Sequence, residues 1–140
     1  MEDFVADMIF IDAPAGAVFG ALSTPEQVLE WFDAEEAVIG AWEDGEFDVQ
    51  GSDGWRVSAV VQAAVRGEEL VLRDCYWALD DAKHGPSQIR FRLEPHDDGV
   101  WLSVRHEGLS GREDWQSFAA AMRERWIRCT VALKRLVEGI

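Results

Sequence analysis

Three polar side chains on predicted strands offer acid–base chemistry: Asp74, Tyr76 and His106. Strand alternation places His106 on the same inward face as the apolar Leu102 and Val104. A carboxylate in apolar surroundings has a raised pKa, whereas one beside a histidine would be held charged. Such groups could orient a ligand or transfer a proton. A structural interpretation stays open, in which His106 bonds near a rim to the start of the last helix and Asp74 pairs with an arginine of a neighbouring strand.

The buried face of the strand that carries Asp74 and Tyr76 is ambiguous in the sequence. Two alternating sets of side chains are candidates for the inward face: Leu70, Leu72, Asp74 and Tyr76, or Val71, Arg73, Cys75 and Trp77. In two other strands the alternation decides which face is buried. Phe91 shares a side with the apolar Leu93 in one of them, and Trp55 shares a side with the apolar Val57 in the other. The residues alone therefore leave the position of Asp74 and Tyr76 open.

No established catalytic motif is present in the sequence. It has no GxSxG, P-loop, HExxH or glycine-rich dinucleotide signature. His84, His96 and His106 stand apart from one another and from Cys75 and Cys129, without the spacing of metal ligands. The two cysteines form no CxxC pair and are interpreted as small buried apolar residues. We expect no metal and no cofactor, and the catalytic residues of any enzyme activity stay unknown.

The last quarter of the chain predicts a long amphipathic helix. Its apolar residues recur every three or four positions and share one face: Trp115, Phe118, Met122, Trp126, Cys129, Leu133 and Val137. Ser110 and Glu113 match a capping box just before this repeat. The aromatic part of the stripe is expected to face a cavity, and Trp115 and Trp126 are the candidates for contact with a flat ligand. Leu133, Leu136 and Val137 are expected to anchor the helix.

Short elements precede this helix. The sequence predicts a strand from Phe4 to Ile11, a short helix opening at Asp12-Ala13-Pro14, and a second one capped by Thr24 that ends near Trp31-Phe32. Six strands follow, separated by turn residues: Ala37 to Trp42, Glu46 to Val49, Trp55 to Ala64, Leu70 to Trp77, Gln88 to Glu94 and Trp101 to Glu107. A loop is predicted from Asp80 to Pro86. The connections are too short for crossover helices, which favours antiparallel hairpins.

The net charge of −14 is concentrated in the first part of the chain, where 14 acidic residues precede the first basic one, Arg56. Such a surface repels phosphate, so we expect neither nucleic acid nor anionic membranes as partners. It is interpreted as a solubilising surface, or alternatively as a docking surface for a basic partner. The acidic start lacks the pattern of a secretory signal, and no apolar run is long enough to span a bilayer. We expect a cytoplasmic protein with one domain over residues 1–140.

The order of elements and several local motifs resemble the SRPBCC superfamily of helix-grip (START and Bet v 1-like) proteins, in particular the branch named after the activator of the heat-shock-protein ATPase. The matching stretches are Ile11 to Glu26 with Trp31-Phe32, Gly45-Glu46-Phe47, Arg90 to Pro95, His106-Glu107-Gly108, and Trp126 followed by Leu133 and Leu136. The resemblance implies an α+β fold. A seven-stranded curved antiparallel sheet would wrap around the C-terminal helix, with two short helices after the first strand. The branch often has glycine before the terminal-helix tryptophan, where this chain has Arg125.

The resemblance also favours one face for the ambiguous strand, because the family places bulky pocket residues at the parity of Leu72, Asp74 and Tyr76. The predicted ligand site then consists of Trp55, Leu72, Asp74, Tyr76, Phe91, His106, Trp115, Phe118, Met122 and Trp126. Its occupant would be a small hydrophobic or aromatic molecule held in a cavity between sheet and helix.

Three functions fit these observations. The first is a binding protein for a small hydrophobic or aromatic ligand. The second is an enzyme like a polyketide cyclase, dehydratase or hydrolase, with Asp74, Tyr76 and His106 as acid and base. The third is a chaperone-associated interaction module that docks through its acidic residues, such as Glu35, Glu36, Glu43 and Asp44. A homodimer through an exposed strand or an aromatic rim is left open.

Overall fold

A computed structural model describes residues 4–79, 82–109 and 115–139, with the side chain of Trp115 left out. In chain order the elements are β1 (Phe4–Ile11), α1 (Ala15–Ser23), α2 (Pro25–Trp31), β2 (Glu36–Ile39), β3 (Glu46–Gln50), β4 (Arg56–Val65), β5 (Glu69–Leu79), β6 (Ala82–His96), β7 (Gly99–Glu107) and α3 (Trp115–Glu138).

The seven strands form one antiparallel sheet in the order β1-β7-β6-β5-β4-β3-β2. From β2 to β7, strands that are adjacent in the sheet are also consecutive in the sequence. Strand β1 is the exception, because it pairs with β7 at one edge of the sheet. The three helices lie on one face of this sheet and bury its apolar side chains. This is the predicted α+β helix-grip architecture, with two short helices after the first strand.

Helix α3 lies on the sheet through the predicted stripe. Phe118, Met122, Trp126, Cys129 and Leu133 are all buried, which confirms the helical period. The predicted capping box at Ser110 and Glu113 lies outside the described residues.

Polar contacts fix the C-terminal half of α3 along β1. The Thr130 hydroxyl donates to the Asp7 carboxylate at 2.6 Å, and Lys134 Nζ donates to the Phe10 carbonyl at 2.8 Å. The Glu138 carboxylate accepts a bond from the backbone N–H of Asp12 at 2.7 Å. These bonds hold the end of the helix against the strand that begins the fold.

Thr24 joins the two short helices. Its N–H donates to the Gly20 carbonyl at the end of α1, and Pro25 then opens α2 as predicted. The Thr24 side chain makes no capping bond. Instead, the Trp31 indole donates to the Ala21 carbonyl at 2.8 Å and links α2 to α1.

The loop predicted from Asp80 to Pro86 is largely strand in the structure. Strand β5 continues to Leu79 and β6 begins at Ala82, with Trp77 paired to His84. The prediction failed because the turn residues there suggested a longer break than this hairpin needs. At the other edge of the sheet β2 is shorter than expected, and Trp42 lies outside it with 67% of its surface exposed.

A β-bulge in β5 corrects the predicted parity. Leu70 and Leu72 face the core, but the pairing register with β6 shifts before Cys75, and Asp74 has a left-handed φ of 51°. Beyond the shift Cys75 and Trp77 face the core. Neither alternating set therefore holds along the whole strand, because the bulge adds a residue that simple alternation does not count.

The bulge predicts how substitutions at Asp74 affect stability. Asp74→Val should lower the free energy of unfolding by about 1–2 kcal/mol, because a β-branched residue is strained in the left-handed region. Asp74→Gly should be nearly neutral, since glycine adopts this backbone freely. Urea unfolding of both variants, with Asp74→Asn as the near-isosteric control, checks the difference. Equal stabilities for the Val and Gly variants would contradict the left-handed conformation.

Candidate functional site

His106 belongs to a buried hydrogen-bonded chain that connects α3 to the middle of the sheet. The Trp126 indole donates to His106 Nδ1 at 3.3 Å. His106 Nε2 lies 2.9 Å from the Ser87 hydroxyl oxygen, and that hydroxyl donates to the Cys75 carbonyl at 3.2 Å. Since Nδ1 accepts, the proton of the neutral ring belongs on Nε2, where it is donated to Ser87.

The environment of His106 keeps its ring neutral. The side chain is fully buried, and burial lowers the pKa of His106 to about 3. Both ring nitrogens are already hydrogen-bonded within the protein. His106 therefore lies in the core and bonds to the middle of α3, rather than near a rim at the helix start as the structural interpretation supposed.

Asp74 and Tyr76 lie on the other face of the sheet, away from His106. Asp74 is exposed and pairs with Arg73 of its own strand at 2.6 Å, not with an arginine of a neighbouring strand. Tyr76 borders an outer cleft of about 370 Å³ and has the Lys83 ammonium 4.5 Å from its ring centroid. The prediction that Asp74, Tyr76 and His106 converge in one cleft is wrong, since the bulge turns the first two outward.

Aromatic side chains converge under the N-terminal half of α3. We define the aromatic cluster as Phe32, Trp55, Trp77 and Trp126. Phe32 is central: its ring centroid lies 5.5 Å from Trp55, 5.8 Å from Trp77 and 5.8 Å from Trp126. Phe32, Trp77 and Trp126 are buried, whereas Trp55 is half-buried. The aromatic cluster thus reaches the surface through Trp55.

Gly51 allows Trp55 to take this position. A β-carbon at residue 51 would lie 1.9 Å from Trp55 Nε1, so only glycine leaves space for the indole. The Gly51 N–H also donates to the Trp55 carbonyl at 3.0 Å. The turn between β3 and β4 therefore folds Trp55 back over the cluster.

Arg125 covers the aromatic cluster from α3. Its guanidinium carbon lies 4.1 Å from the Trp55 ring centroid, 5.1 Å from that of Phe32 and 5.4 Å from that of Trp77. Nη2 donates to the Phe32 carbonyl at 3.2 Å. Burial lowers the pKa of the Arg125 guanidinium. Arg125, which stands where the resembled branch often has glycine, is thus packed on rings from three other regions of the chain.

A cleft between α2 and α3 opens beside Arg125. Its volume is about 210 Å³, and it is lined by Glu30, Trp31, Phe32, Asp33, Arg125, Arg128, Cys129 and Ala132. Deeper in the core the packing is closed. The space bordered by Leu22, Trp31, Phe91, Leu102 and Trp126 has no room for a water molecule. The cleft therefore reaches the aromatic cluster at Phe32, beside Arg125.

The structure brings most predicted ligand residues together, but not all. Leu72, Phe91, His106, Phe118, Met122 and Trp126 are buried in the core, and Trp55 joins them at its edge. The predicted contact of Trp115 lies outside the described side chains. Phe32, Trp77 and Arg125 were missed as site residues. Trp77 was missed because it belongs to the alternating set that the resemblance did not favour for the inward face. Phe32 and Arg125 were missed because no sequence pattern connects them with strands β4 and β5.

Comparison with known proteins decides the family. Residues 12–138 match the family described as activator of Hsp90 ATPase homolog 1-like protein. The chain belongs to this family. The match covers all three helices and every strand but β1, so membership in the activator of Hsp90 ATPase homolog 1-like family agrees with the resemblance of the sequence motifs. Comparison with curated proteins by sequence finds no match.

Solved structures share the fold of this family member at low identity. The protein MLL2253 of Mesorhizobium loti has a TM-score of 0.80 at 20% identity, with 96% of each chain covered. DynU16, a protein of the dynemicin biosynthetic locus, has a TM-score of 0.81 at 20% identity over 99% of this chain and 48% of its own. The Aha1 dimer of Colwellia psychrerythraea has a TM-score of 0.78 at 16% identity, with 96% of each chain covered.

The described residues contain neither a cluster of metal ligands nor a membrane-spanning helix. No group of three or more His, Cys, Asp or Glu side chains there is arranged to hold a metal ion. Among the same residues no helix combines the length and the apolar character needed to cross a bilayer.

Proposed function

We propose that this protein binds a small flat hydrophobic or aromatic molecule at the aromatic cluster, between the sheet and α3. The observation that carries the proposal is an open cleft lined by Phe32 and Arg125, next to stacked rings that reach the surface at the half-buried Trp55. Stacked aromatic rings offer large flat apolar faces to a ligand. The family's ligand-binding type of fold supports a binding role.

The size of the cleft limits the ligand. Its volume of about 210 Å³ is below the roughly 300–1,000 Å³ of pockets that hold drug-sized molecules. A one- or two-ring compound is therefore the expected occupant.

The three residues predicted as acid and base of an enzyme do not form a catalytic group in the structure. Asp74 and Tyr76 face outward, and the buried His106 is neutral with both nitrogens occupied. The cytoplasmic location, the single domain and a homodimer stay predictions.

Tryptophan emission and thermal unfolding test the binding proposal. Titration with a panel of one- and two-ring aromatic compounds should change the emission and raise the midpoint of unfolding, because a ligand at 100 times its Kd stabilises by about 2.7 kcal/mol. Trp55→Ala should weaken binding about tenfold or more. Trp42→Ala removes an exposed indole outside the aromatic cluster and is the matched control. Wild-type protein without a response to any compound, or equal affinities for the two variants, would overturn the proposal.

A further inference from the structure

We propose that Arg125 is the anchor for a carboxylate, and that the ligand is a small aromatic monocarboxylic acid. This inference rests on the proposed function and names its ligand class. Its basis is a half-buried guanidinium at the mouth of the aromatic cluster whose hydrogen-bonding capacity is largely unused.

The unused donors of Arg125 are the first observation. Nη2 donates to the Phe32 carbonyl, but Nε is buried and has no hydrogen-bond partner. No carboxylate oxygen of the described residues lies within 4.0 Å of an Arg125 nitrogen. A guanidinium carries five N–H donors in a planar fork that matches a carboxylate with two parallel bonds. Arg125 therefore has the donor geometry that recognises a carboxylate, but no carboxylate of a described residue pairs with it.

The second observation is that Arg125 forms no ion pair with a described residue, although the exposed Asp33 carboxylate attracts it from a longer distance. Three aromatic rings face the guanidinium and partly compensate its removal from water. Leaving a cation half-buried without an ion pair is nevertheless unfavourable. A bound carboxylate would supply the opposite charge where water is partly excluded and the attraction is stronger than at the surface.

A second buried donor lies in the same cluster. The Trp77 indole N–H makes no hydrogen bond of normal geometry, and the group that it faces is the Cys75 thiol, a weak acceptor. The Trp77 ring lies against the Arg125 guanidinium. Buried polar groups are usually satisfied, so the unpartnered Arg125 Nε, beside an indole with only a thiol acceptor, indicates that an oxygen acceptor would be stabilised near Arg125.

The charges around the cleft restrict the ligand further. Arg128 adds a second guanidinium to the lining, but Glu30 and Asp33 also border the cleft and are exposed. These two carboxylates would repel a phosphate or a dicarboxylate more strongly than a single carboxylate. The arrangement thus favours a monoanion, with its charge at Arg125 and its ring on the aromatic cluster.

Paired ligands of equal shape test the anchor by calorimetry. We choose benzoate against benzamide and 2-naphthoate against 2-naphthamide, since each amide keeps the ring and removes the charge. Wild-type protein should bind the carboxylates about 10- to 100-fold more tightly, which corresponds to one charge-assisted hydrogen-bonded pair. Arg125→Met should abolish this preference while the affinity for the amides stays similar. Arg125→Lys should be intermediate, because an ammonium keeps the charge but lacks the fork.

Arg123→Gln is the matched control, since Arg123 is exposed on the same helix and its replacement changes the net charge equally. It should keep the preference. Equal binding of acid and amide by wild-type protein, or a preference that survives Arg125→Met, would overturn the anchor and leave the proposed function standing. If neither acid binds, the ligand class is wrong, and the neutral compounds of the wider panel then decide the proposed function separately. Circular dichroism confirms that each variant is folded.

Discussion

Replacement of Trp126 by alanine is expected to lower the free energy of unfolding by about 4 kcal/mol, as for other large-to-small changes in a core. The Trp126 side chain is 1% exposed and contacts Phe32, Trp77, Phe91 and His106. Alanine would leave a cavity at the centre of these rings and remove the donor to His106 Nδ1. Urea unfolding followed by circular dichroism at pH 7.5 measures the loss.

A matched pair separates the hydrogen bond from the packing. Trp126→Phe and Trp77→Phe each remove the same atoms from a buried indole. Trp126→Phe also leaves His106 Nδ1 without a donor, whereas the Trp77 indole N–H faces only the weakly accepting Cys75 thiol. Because an unsatisfied buried acceptor costs about 1–3 kcal/mol, Trp126→Phe should be the more destabilising variant by about that amount. Equal losses would show that the bond to His106 contributes nothing to stability.

The elements that could be predicted from sequence are those fixed by local pattern. The stripe from Phe118 to Leu133 repeats at the helical period, and the structure buries it as expected. Turn residues separate the strands from β2 to β5, whose hairpins form in the predicted order. The position of β1 beside β7 has no local signal. The two strands are far apart in the chain, and the sequence analysis made no prediction of their pairing.

The parts that failed depend on backbone irregularity and on contacts between distant segments. At Asp74 an added residue with left-handed backbone shifts the alternation of inward and outward side chains. The types of the neighbouring residues do not predict this bulge. Arg125 stood out only as a departure from glycine. Its location on Phe32, Trp55 and Trp77 combines residues from four separate regions of the chain. A site of this kind is determined by tertiary packing and not by spacing.

Acidification is expected to destabilise the protein through His106 well before most carboxylates are protonated. In the unfolded chain histidine has a pKa near 6.5, whereas the buried ring has a pKa of about 3. The unfolded state therefore binds more protons between these values, and the stability present above pH 6.5 is lost as the pH falls. From pH 7.5 to pH 5 the contribution of His106 amounts to about 2 kcal/mol.

His106→Gln should be less stable than wild type at pH 7.5, because the chain from Trp126 to Ser87 is disturbed, yet its stability should change far less between pH 7.5 and pH 5. His96→Gln is the control, since His96 is exposed, and it should keep the slope of wild type. Free energies from urea unfolding at several pH values give the three curves. A wild-type curve that is flat over this range would mean that the buried ring accepts a proton without unfolding. A His106→Gln curve as steep as that of wild type would assign the proton uptake to another group.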